Sequence, residues 1–129
     1  MRIISIETAK EIDKLHLSVL LDQTNNSDNF YYSDKGYLNW VELYDDYYRN
    51  DKIYDSVTEA YLIPACRLDE LFEFLLNRNI FVSVRMANSS FYYWRIYINK
   101  KELMTSGDSL NENYHNCFEE GLREALKYV

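Results

Sequence analysis

The chain has 129 residues, of which 47% are hydrophobic, with one proline and three glycines. This length and composition predict a single folded domain (residues 1–129) and exclude collagen-like and intrinsically disordered classes. The net charge of −7, from 21 acidic and 14 basic residues, disfavours a surface for duplex nucleic acid, because phosphate binding needs clustered Lys and Arg.

The first predicted element is a helix from Ser5 to about Leu20, where apolar residues recur at helical spacing. Ser5 is a good N-cap residue, and Glu7 in the first turn is favoured by the helix dipole. The polar residues 23–29 then predict a loop.

The middle of the chain alternates between β-formers and acidic residues. Phe30 to Leu43 predicts a hairpin, with Gly36 in its turn. Tyr44 to Ser56 has four aspartates and four tyrosines without a hydrophobic period, which predicts an exposed, irregular acidic loop. Val57 to Ile63 predicts an extended segment, and Pro64 is expected to begin a helix that ends near Arg78.

The last third has the clearest periodicity. Ile80 to Met86 and Phe91 to Asn99 both alternate and predict a second hairpin, with Phe81, Ser83 and Arg85 on one side of its first strand. Lys100 to Glu112 is polar and predicts a loop. Asn113 to Val129 predicts an amphipathic helix, and Gly121 in its apolar stripe indicates close approach to a strand, since Gly is costly in a helix.

These elements predict the α+β class: an antiparallel sheet of about four strands in two hairpins, with about three helices (N-terminal, middle and C-terminal) packed on one face. Cys66 and Cys117 are expected to lie in helices as free, buried thiols of a reducing compartment. The N-terminal residues turn polar too soon for a signal peptide, and no segment is apolar enough to span a membrane. We therefore expect a cytoplasmic protein.

Five segments together carry a resemblance to a known family. They are the opening Ile4–Lys10, the Tyr-rich DKG turn of Tyr31–Gly36, the Pro-initiated helix Pro64–Asn79, the strand pair Ile80–Ile98 and the closing helix Tyr114–Leu126. In this layout the chain resembles a family of small uncharacterised proteins encoded by phages, prophages and mobile elements of Bacteroidetes. It departs from the pattern in the middle helix, where Phe72, Phe74, Leu75 and Leu76 stand in place of a Trp-Leu pair. The resemblance implies a bacterial host, whose cytoplasm would contain the protein, and a gene context, but no activity.

The sequence offers little catalytic chemistry, and we expect no catalytic residues, no cofactor and no metal. His16 and His115 lack a partner motif, and Cys117 is two positions from His115, so the two cannot share a helix face. The three glycines are isolated, which excludes the usual phosphate loops. Asp45, Asp46, Asp51 and Asp55 do not have the spacing of a calcium-binding loop. Whether two of these carboxylates meet across a cleft stays open.

The tyrosines are the unusual feature, because eight of the 13 lie between Tyr31 and Tyr61. Aromatic side chains can stack single-stranded bases, but such sites also need a basic groove, and this segment is acidic. Two interpretations remain, a half-buried sheet face and a protein-binding surface. For the second, the predicted contact residues are Tyr44, Asp45, Asp46, Tyr47, Tyr48, Asp51, Tyr54 and Asp55.

We therefore predict a non-enzymatic accessory protein that binds a basic protein partner, such as a host nucleic-acid-binding or defence protein, and does not bind nucleic acid or membrane directly. A homodimer is a second option, formed if the strand with Tyr93 and Tyr97 is an exposed sheet edge. The alternatives are a structural or morphogenetic phage component and a small metal-dependent hydrolase.

Overall fold

A computed structural model of the chain describes residues 2–15, 30–33, 38–40, 46–49, 52–55, 60–107 and 109–129. These residues form three α-helices and eight strands in two antiparallel sheets, which confirms the α+β class. The chain divides into two compact units, Met1–Glu70 and Leu71–Val129. The units are described in turn, and the single domain stays a prediction.

Helix α1 (Ile6–Lys14) begins where the sequence predicts. The Ser5 hydroxyl accepts a hydrogen bond from the backbone N–H of Thr8 at 3.5 Å, which satisfies one of the unpaired donors of the first turn. The predicted continuation over residues 16–20 lies outside the described residues.

The first unit contains a five-stranded sheet in the order β2-β1-β5-β4-β3. Its strands are β1 (Phe30–Tyr32), β2 (Leu38–Trp40), β3 (Asp46–Arg49), β4 (Lys52–Asp55) and β5 (Ala60–Pro64). The antiparallel pairing of β1 with β2 confirms the first predicted hairpin, whose turn residues 34–37 lie outside the described part of the chain.

The prediction of an irregular loop over residues 44–56 is wrong for most of that segment. Strands β3 and β4 pair with each other, and β4 also pairs with β5. Tyr and Ile favour strands. The aspartates, however, flank the tyrosines instead of alternating with them, so the alternation typical of a half-buried strand is not visible in this segment. Strand β4 therefore has a neighbour on each side, which the pattern of residues 44–56 does not predict.

Helix α2 (Leu68–Leu76) begins four residues later than predicted and ends before Arg78. Pro64 closes β5 instead of opening the helix, in keeping with its tolerance at strand ends. The carboxylate of Glu70 accepts a hydrogen bond from the backbone N–H of Arg67 at 3.2 Å, as in half of a capping box. Cys66 is buried, but it precedes the helix instead of lying in it.

The second unit contains a three-stranded sheet in the order β6-β7-β8. Strands β6 (Ile80–Asn88) and β7 (Phe91–Ile98) confirm the second predicted hairpin. Helix α3 (Tyr114–Ala125) confirms the C-terminal helix, and a short 3₁₀ helix (Leu126–Tyr128) follows it.

Strand β8 (Lys101–Thr105) is the main correction in this unit, because the sequence predicts a loop there. Asn99 and Lys100 have φ values of 51° and 68°, the left-handed conformation that two-residue hairpin turns require. The turn contains no glycine, so its signal is weak in the sequence. With β8 in place, β7 is the centre of the sheet and is not the exposed edge on which the homodimer prediction relied. The prediction of one sheet of about four strands is likewise wrong.

Helix α3 packs on one face of this sheet. Trp94 and Ile96 of β7 and Val82 of β6 are buried beneath it. A Cβ atom on Gly121 would lie 2.8 Å from Cγ1 of Val82 and 3.0 Å from Cβ of Trp94, so the predicted close approach is confirmed. The opposite face of the sheet is left uncovered by α3. Whether all three helices share one face stays a prediction.

Candidate functional site

The predicted contact residues of the acidic segment are only partly described. Tyr44, Asp45 and Asp51 lie outside the described residues. The backbone of the others lies in β3 and β4, where the register pairs Tyr47 with Tyr54 and Asp46 with Asp55. Tyr48 pairs with Ile53 instead. Their role as a binding surface therefore stays a prediction.

A second group of aromatic residues lies on the face of the β6-β7-β8 sheet that is opposite α3. Because alternate residues of a strand point to opposite faces, this face carries the positions between those that α3 buries. The register pairs Phe81 with Tyr97, Ser83 with Arg95 and Arg85 with Tyr93. We call this surface the aromatic–arginine face, and it consists of Phe81, Arg85, Tyr93, Arg95 and Tyr97.

The hydroxyl of Tyr97 lies beside two guanidinium groups. Hydrogen bonding to Arg95 is the main cause that lowers the pKa of Tyr97 below its ordinary value of 10.0. Desolvation opposes this shift, and hydrogen bonding to Arg85 is a smaller effect that also lowers the pKa. Arg95 also forms an ion pair with Glu102 at 3.4 Å, and its guanidinium lies 5.4 Å from the centre of the Tyr93 ring. Positive charge is thus interleaved with the aromatic rings.

An open groove of about 670 Å³ occupies one end of this face. Its described lining is Leu76, Asn79, Phe81, Arg85, Tyr97, Asn99 and Lys100. Leu76 and Phe81 are 45% and 42% exposed there. The backbone N–H of Asn99 donates to the carbonyl of Asn79 at 2.9 Å, which ties together the two turns at the end of the groove.

A second hollow of about 450 Å³ lies at the other end of the same face, where Tyr93 and Arg95 take part in its lining. Arg95 lies between Tyr93 and Tyr97 along β7. The two hollows therefore lie on either side of a central guanidinium, and together they follow the length of the strand.

The exposed ring of Phe81 is held in place by further aromatic contacts. Its centroid lies 5.7 Å from that of Phe72 on α2 and 6.0 Å from that of Tyr97. Phe72 in turn lies 5.6 Å from Phe118 on α3, and Phe118 lies 6.3 Å from Tyr114. The Phe81–Tyr97 pair is tilted and the other three pairs are edge-to-face, an arrangement that adds to the stability that burial alone provides. The rings form a chain that passes from α3 round the β6 edge to the aromatic–arginine face.

Charge is distributed unevenly along the chain. Residues 1–70 contain 14 acidic and seven basic residues, whereas residues 71–129 contain seven of each. Within the second unit, residues 78–101 contain five basic residues and no acidic one. The aromatic–arginine face is built from this basic stretch.

From the sequence, Tyr93 and Tyr97 were connected only with an exposed strand edge in a homodimer, although the signal for this face was present. The alternation within residues 80–86 already places Phe81 and Arg85 on the same side of their strand. The alternation within residues 91–99 does the same for Tyr93, Arg95 and Tyr97. The face is less conspicuous in the sequence than the segment richest in tyrosine, and the net charge of the whole chain conceals its basic residues. A charge count taken segment by segment would have singled out residues 78–101.

The groups considered for catalysis do not come together in the described residues. His115 is exposed on α3, where its ring contacts Tyr114. Cys117 is buried, which raises the pKa of its thiol to about 11, and both cysteines are free. Within the described ranges, no group of three or more His, Cys, Asp or Glu residues is arranged to hold a metal ion. None of the described helices is long and apolar enough to cross a membrane.

Comparison with known proteins gives no assignment, since no family model, no curated protein and no solved structure matches the chain. The resemblance to a phage and mobile-element family, and with it the bacterial cytoplasm, therefore stay predictions. The functional hypothesis has to rest on the geometry of the site.

Proposed function

We propose that the protein acts by reversible binding and that the aromatic–arginine face is its site for an anionic partner. The observation that carries this proposal is the register of β6 and β7, which places Arg85, Arg95 and Tyr97 on one face of the sheet, with Arg85 and Tyr97 lining the same groove. A guanidinium presents several N–H donors in one plane and matches the oxygens of a carboxylate or phosphate. A phenol and two guanidiniums on one exposed sheet therefore suit an anionic ligand.

The groove also indicates what else the partner carries. None of the described residues that line it is acidic, and Lys100 adds a second kind of cation at its end. Leu76 and Phe81 offer exposed apolar area beside these charges. A partner that combines anionic groups with flat or apolar groups would use both features.

The proposal requires binding alone. The groups that line the groove are a phenol, a guanidinium, an ammonium, amides and apolar side chains, all of which can recognise a ligand without making or breaking a bond. We accordingly retain, as part of the proposal, an accessory protein that works without catalysis.

A titration with fluorescein-labelled heparin tests this function, because heparin is a sulfated polyanion without bases or peptide groups. We expect salt-sensitive binding to the full chain. The double substitution Arg85→Gln with Arg95→Gln should weaken it about tenfold, since a hydrogen bond to a charged group contributes about 1.5 kcal/mol or more. The matched control is Arg123→Gln with Lys127→Gln, which removes the same charge from α3 and the 3₁₀ helix after it. Equal losses in the two double variants would contradict the proposal.

The acidic segment is a second candidate site, for a basic protein partner. It is favoured by the register of the first unit, in which Tyr47, Tyr54 and Tyr61 occupy paired positions on three neighbouring strands. Strand β3 is also an end strand in the order of that sheet, and end strands can pair with another chain. The excess of acidic residues in residues 1–70 would speed association with a basic partner.

A labelled nona-arginine peptide tests this second candidate. We expect binding that weakens with salt, and a further loss when Asp46→Asn and Asp55→Asn are combined. The control is Arg49→Gln with Lys52→Gln, which pair in the same hairpin and whose loss should strengthen binding. If none of the four substitutions changed the affinity for the peptide, the acidic segment would be excluded as its binding site.

A further inference from the structure

We propose that the anionic partner of the aromatic–arginine face is single-stranded nucleic acid. This inference rests on the proposed function and names the class of ligand. Sites of this kind combine aromatic side chains, on which successive bases stack, with a basic groove that follows the backbone. The acidic tyrosine segment fails the second condition, whereas the face built from residues 78–101 meets both.

The rings are spaced along the strand in a way that suits stacked bases. Tyr93 and Tyr97 are four residues apart on β7, about 13 Å at the usual rise of a strand. Phe81 lies beside Tyr97 at a centroid distance of 6.0 Å. Sheets that recognise single-stranded RNA stack two or three bases on exposed aromatic residues in this manner. The face therefore offers two stacking positions, one at each end.

Cations occupy the places between and beyond these positions. Arg95 separates Tyr93 from Tyr97 along the strand, and Arg85 lies across from Tyr93 in the register. Lys100 follows at the end of the groove. An extended strand of nucleotides would place its phosphates near these three cations while its bases contact the rings.

The central position of β7 favours nucleic acid over an acidic peptide. A peptide in extended form usually gains affinity by pairing its backbone with a sheet edge. The backbone of β7 is already paired with β6 on one side and with β8 on the other. A ligand on this face therefore contacts side chains and does not pair with the backbone of β7. A planar base can stack on a tyrosine ring, whereas a peptide backbone stacks on it less well.

The dependence of the affinity on salt concentration can be predicted from the number of cations on the face. Binding to a single strand weakens with salt with a logarithmic slope of about −0.7 for each phosphate neutralised. Three cations would give a slope of about −2, or a loss of affinity of roughly 20-fold between 50 and 200 mM salt. The ion pair of Arg95 with Glu102 at 3.4 Å moves the expected slope towards that of two cations, about −1.4, or roughly sevenfold. A charge-only contact would show the same slope but no dependence on the bases.

Fluorescence anisotropy with the full chain separates these contributions. The probes are a labelled oligo-dT of 12 nucleotides, oligo-U of the same length, an abasic 12-mer with the same phosphates, and a 12-residue poly-glutamate peptide. We expect the oligo-dT to bind at least about fivefold more tightly than the abasic strand, since stacking contributes about 1 kcal/mol or more per base. The dT and U probes distinguish DNA from RNA, and preference for either one supports the inference.

Variants then assign the stacking to particular rings. Tyr97→Leu keeps apolar volume but removes the ring, and we expect it to abolish most of the difference between oligo-dT and the abasic strand. The control is Tyr128→Leu, an exposed tyrosine in the 3₁₀ helix, which should leave that difference unchanged. The unfolding midpoint of each variant confirms that it is folded.

Each remaining outcome overturns the inference in a distinct way. Equal binding of the oligo-dT and the abasic strand would leave an anion site that does not stack bases, so the proposed function would stand alone. Tighter binding of poly-glutamate than of oligo-dT would assign the face to an acidic protein segment. Failure of both heparin and oligo-dT to bind would remove the proposed function as well.

Discussion

The two faces of the β6-β7-β8 sheet come from the same strands but differ in what their side chains do. Beneath α3, Val82, Trp94 and Ile96 are at most 4% exposed. On the opposite face, Phe81 and Arg85 are exposed to solvent. Because side chains alternate along a strand, one hairpin supplies both a core and a surface for recognition. Stability and binding should therefore be separable by substituting neighbouring residues.

The largest expected difference between the faces is in stability. Ile96 is 0% exposed, and Ile96→Ala should lower the free energy of unfolding by about 2–5 kcal/mol, since it removes buried methyl groups and leaves a cavity. Arg85→Gln on the exposed face should change it by no more than about 0.5 kcal/mol. Urea unfolding measures both. A loss of similar size in the two variants would contradict the expected difference in stability between the two faces.

A smaller loss is expected where α3 contacts the sheet most closely. Gly121→Ala should gain about 1 kcal/mol in helix propensity but lose about 1–3 kcal/mol from crowding, because the new methyl would meet Val82 at 2.8 Å. We expect a net loss of about 1 kcal/mol by urea unfolding. Asn116→Ala, at an exposed position of the same helix, is the control and should not destabilise the protein. A stabilised Gly121→Ala would show that the helix can move away from the sheet.

Cys117, on the covered side, predicts a dependence of stability on pH. Burial raises the pKa of its thiol to about 11, above the value of about 8.5 for an unfolded cysteine. The contribution is fully present below about pH 8 and is lost as the pH rises towards 11, because only the unfolded state releases the proton there. Urea midpoints between pH 7 and 10 should fall more steeply for the parent than for Cys117→Ala. Parallel profiles would contradict the buried, protonated thiol.

The smallest expected effect sharpens the chemistry of the exposed face. Arg95→Gln removes the main cause of the lowered pKa of Tyr97, so that pKa should rise towards its ordinary value of 10.0. NMR of ¹³C-labelled tyrosine follows the Tyr97 resonance through the titration. Arg123→Gln is the control and should leave it unchanged. An unchanged pKa of Tyr97 in Arg95→Gln would show that the Arg95 guanidinium does not interact with the Tyr97 hydroxyl.

Local patterns account for the elements that the sequence predicts well. The alternation of residues 80–98 and the apolar stripe of α3 are contained within each segment, and even the contact of Gly121 with the sheet follows from its place in that stripe. Strand β8 was missed because Asn99 and Lys100 adopt positive φ without a glycine to indicate it. Strands β3 and β4 were missed because their aspartates flank the tyrosines instead of alternating with apolar residues, so no strand periodicity is visible in that segment.

The candidate site was missed for a different physical reason. The net charge of −7 averages an acidic first unit with a neutral second one, and it conceals the basic stretch of residues 78–101. Exposed charges act over about 8 Å at physiological ionic strength, so a binding surface responds to the charges near it. The sequence states the condition of aromatic rings beside cations, but the tyrosines of the basic stretch were not considered under it.

An amide NMR titration of the full chain with the 12-nucleotide oligo-dT tests the central claim most directly, because it reports both faces of the sheet at once. The account predicts shifts at Arg85, Tyr93, Arg95 and Tyr97 that saturate together, with the amides of α3 unchanged. Shifts confined to α3 or to residues 30–64, or no shifts at all, would contradict the assignment of the aromatic–arginine face as the binding site.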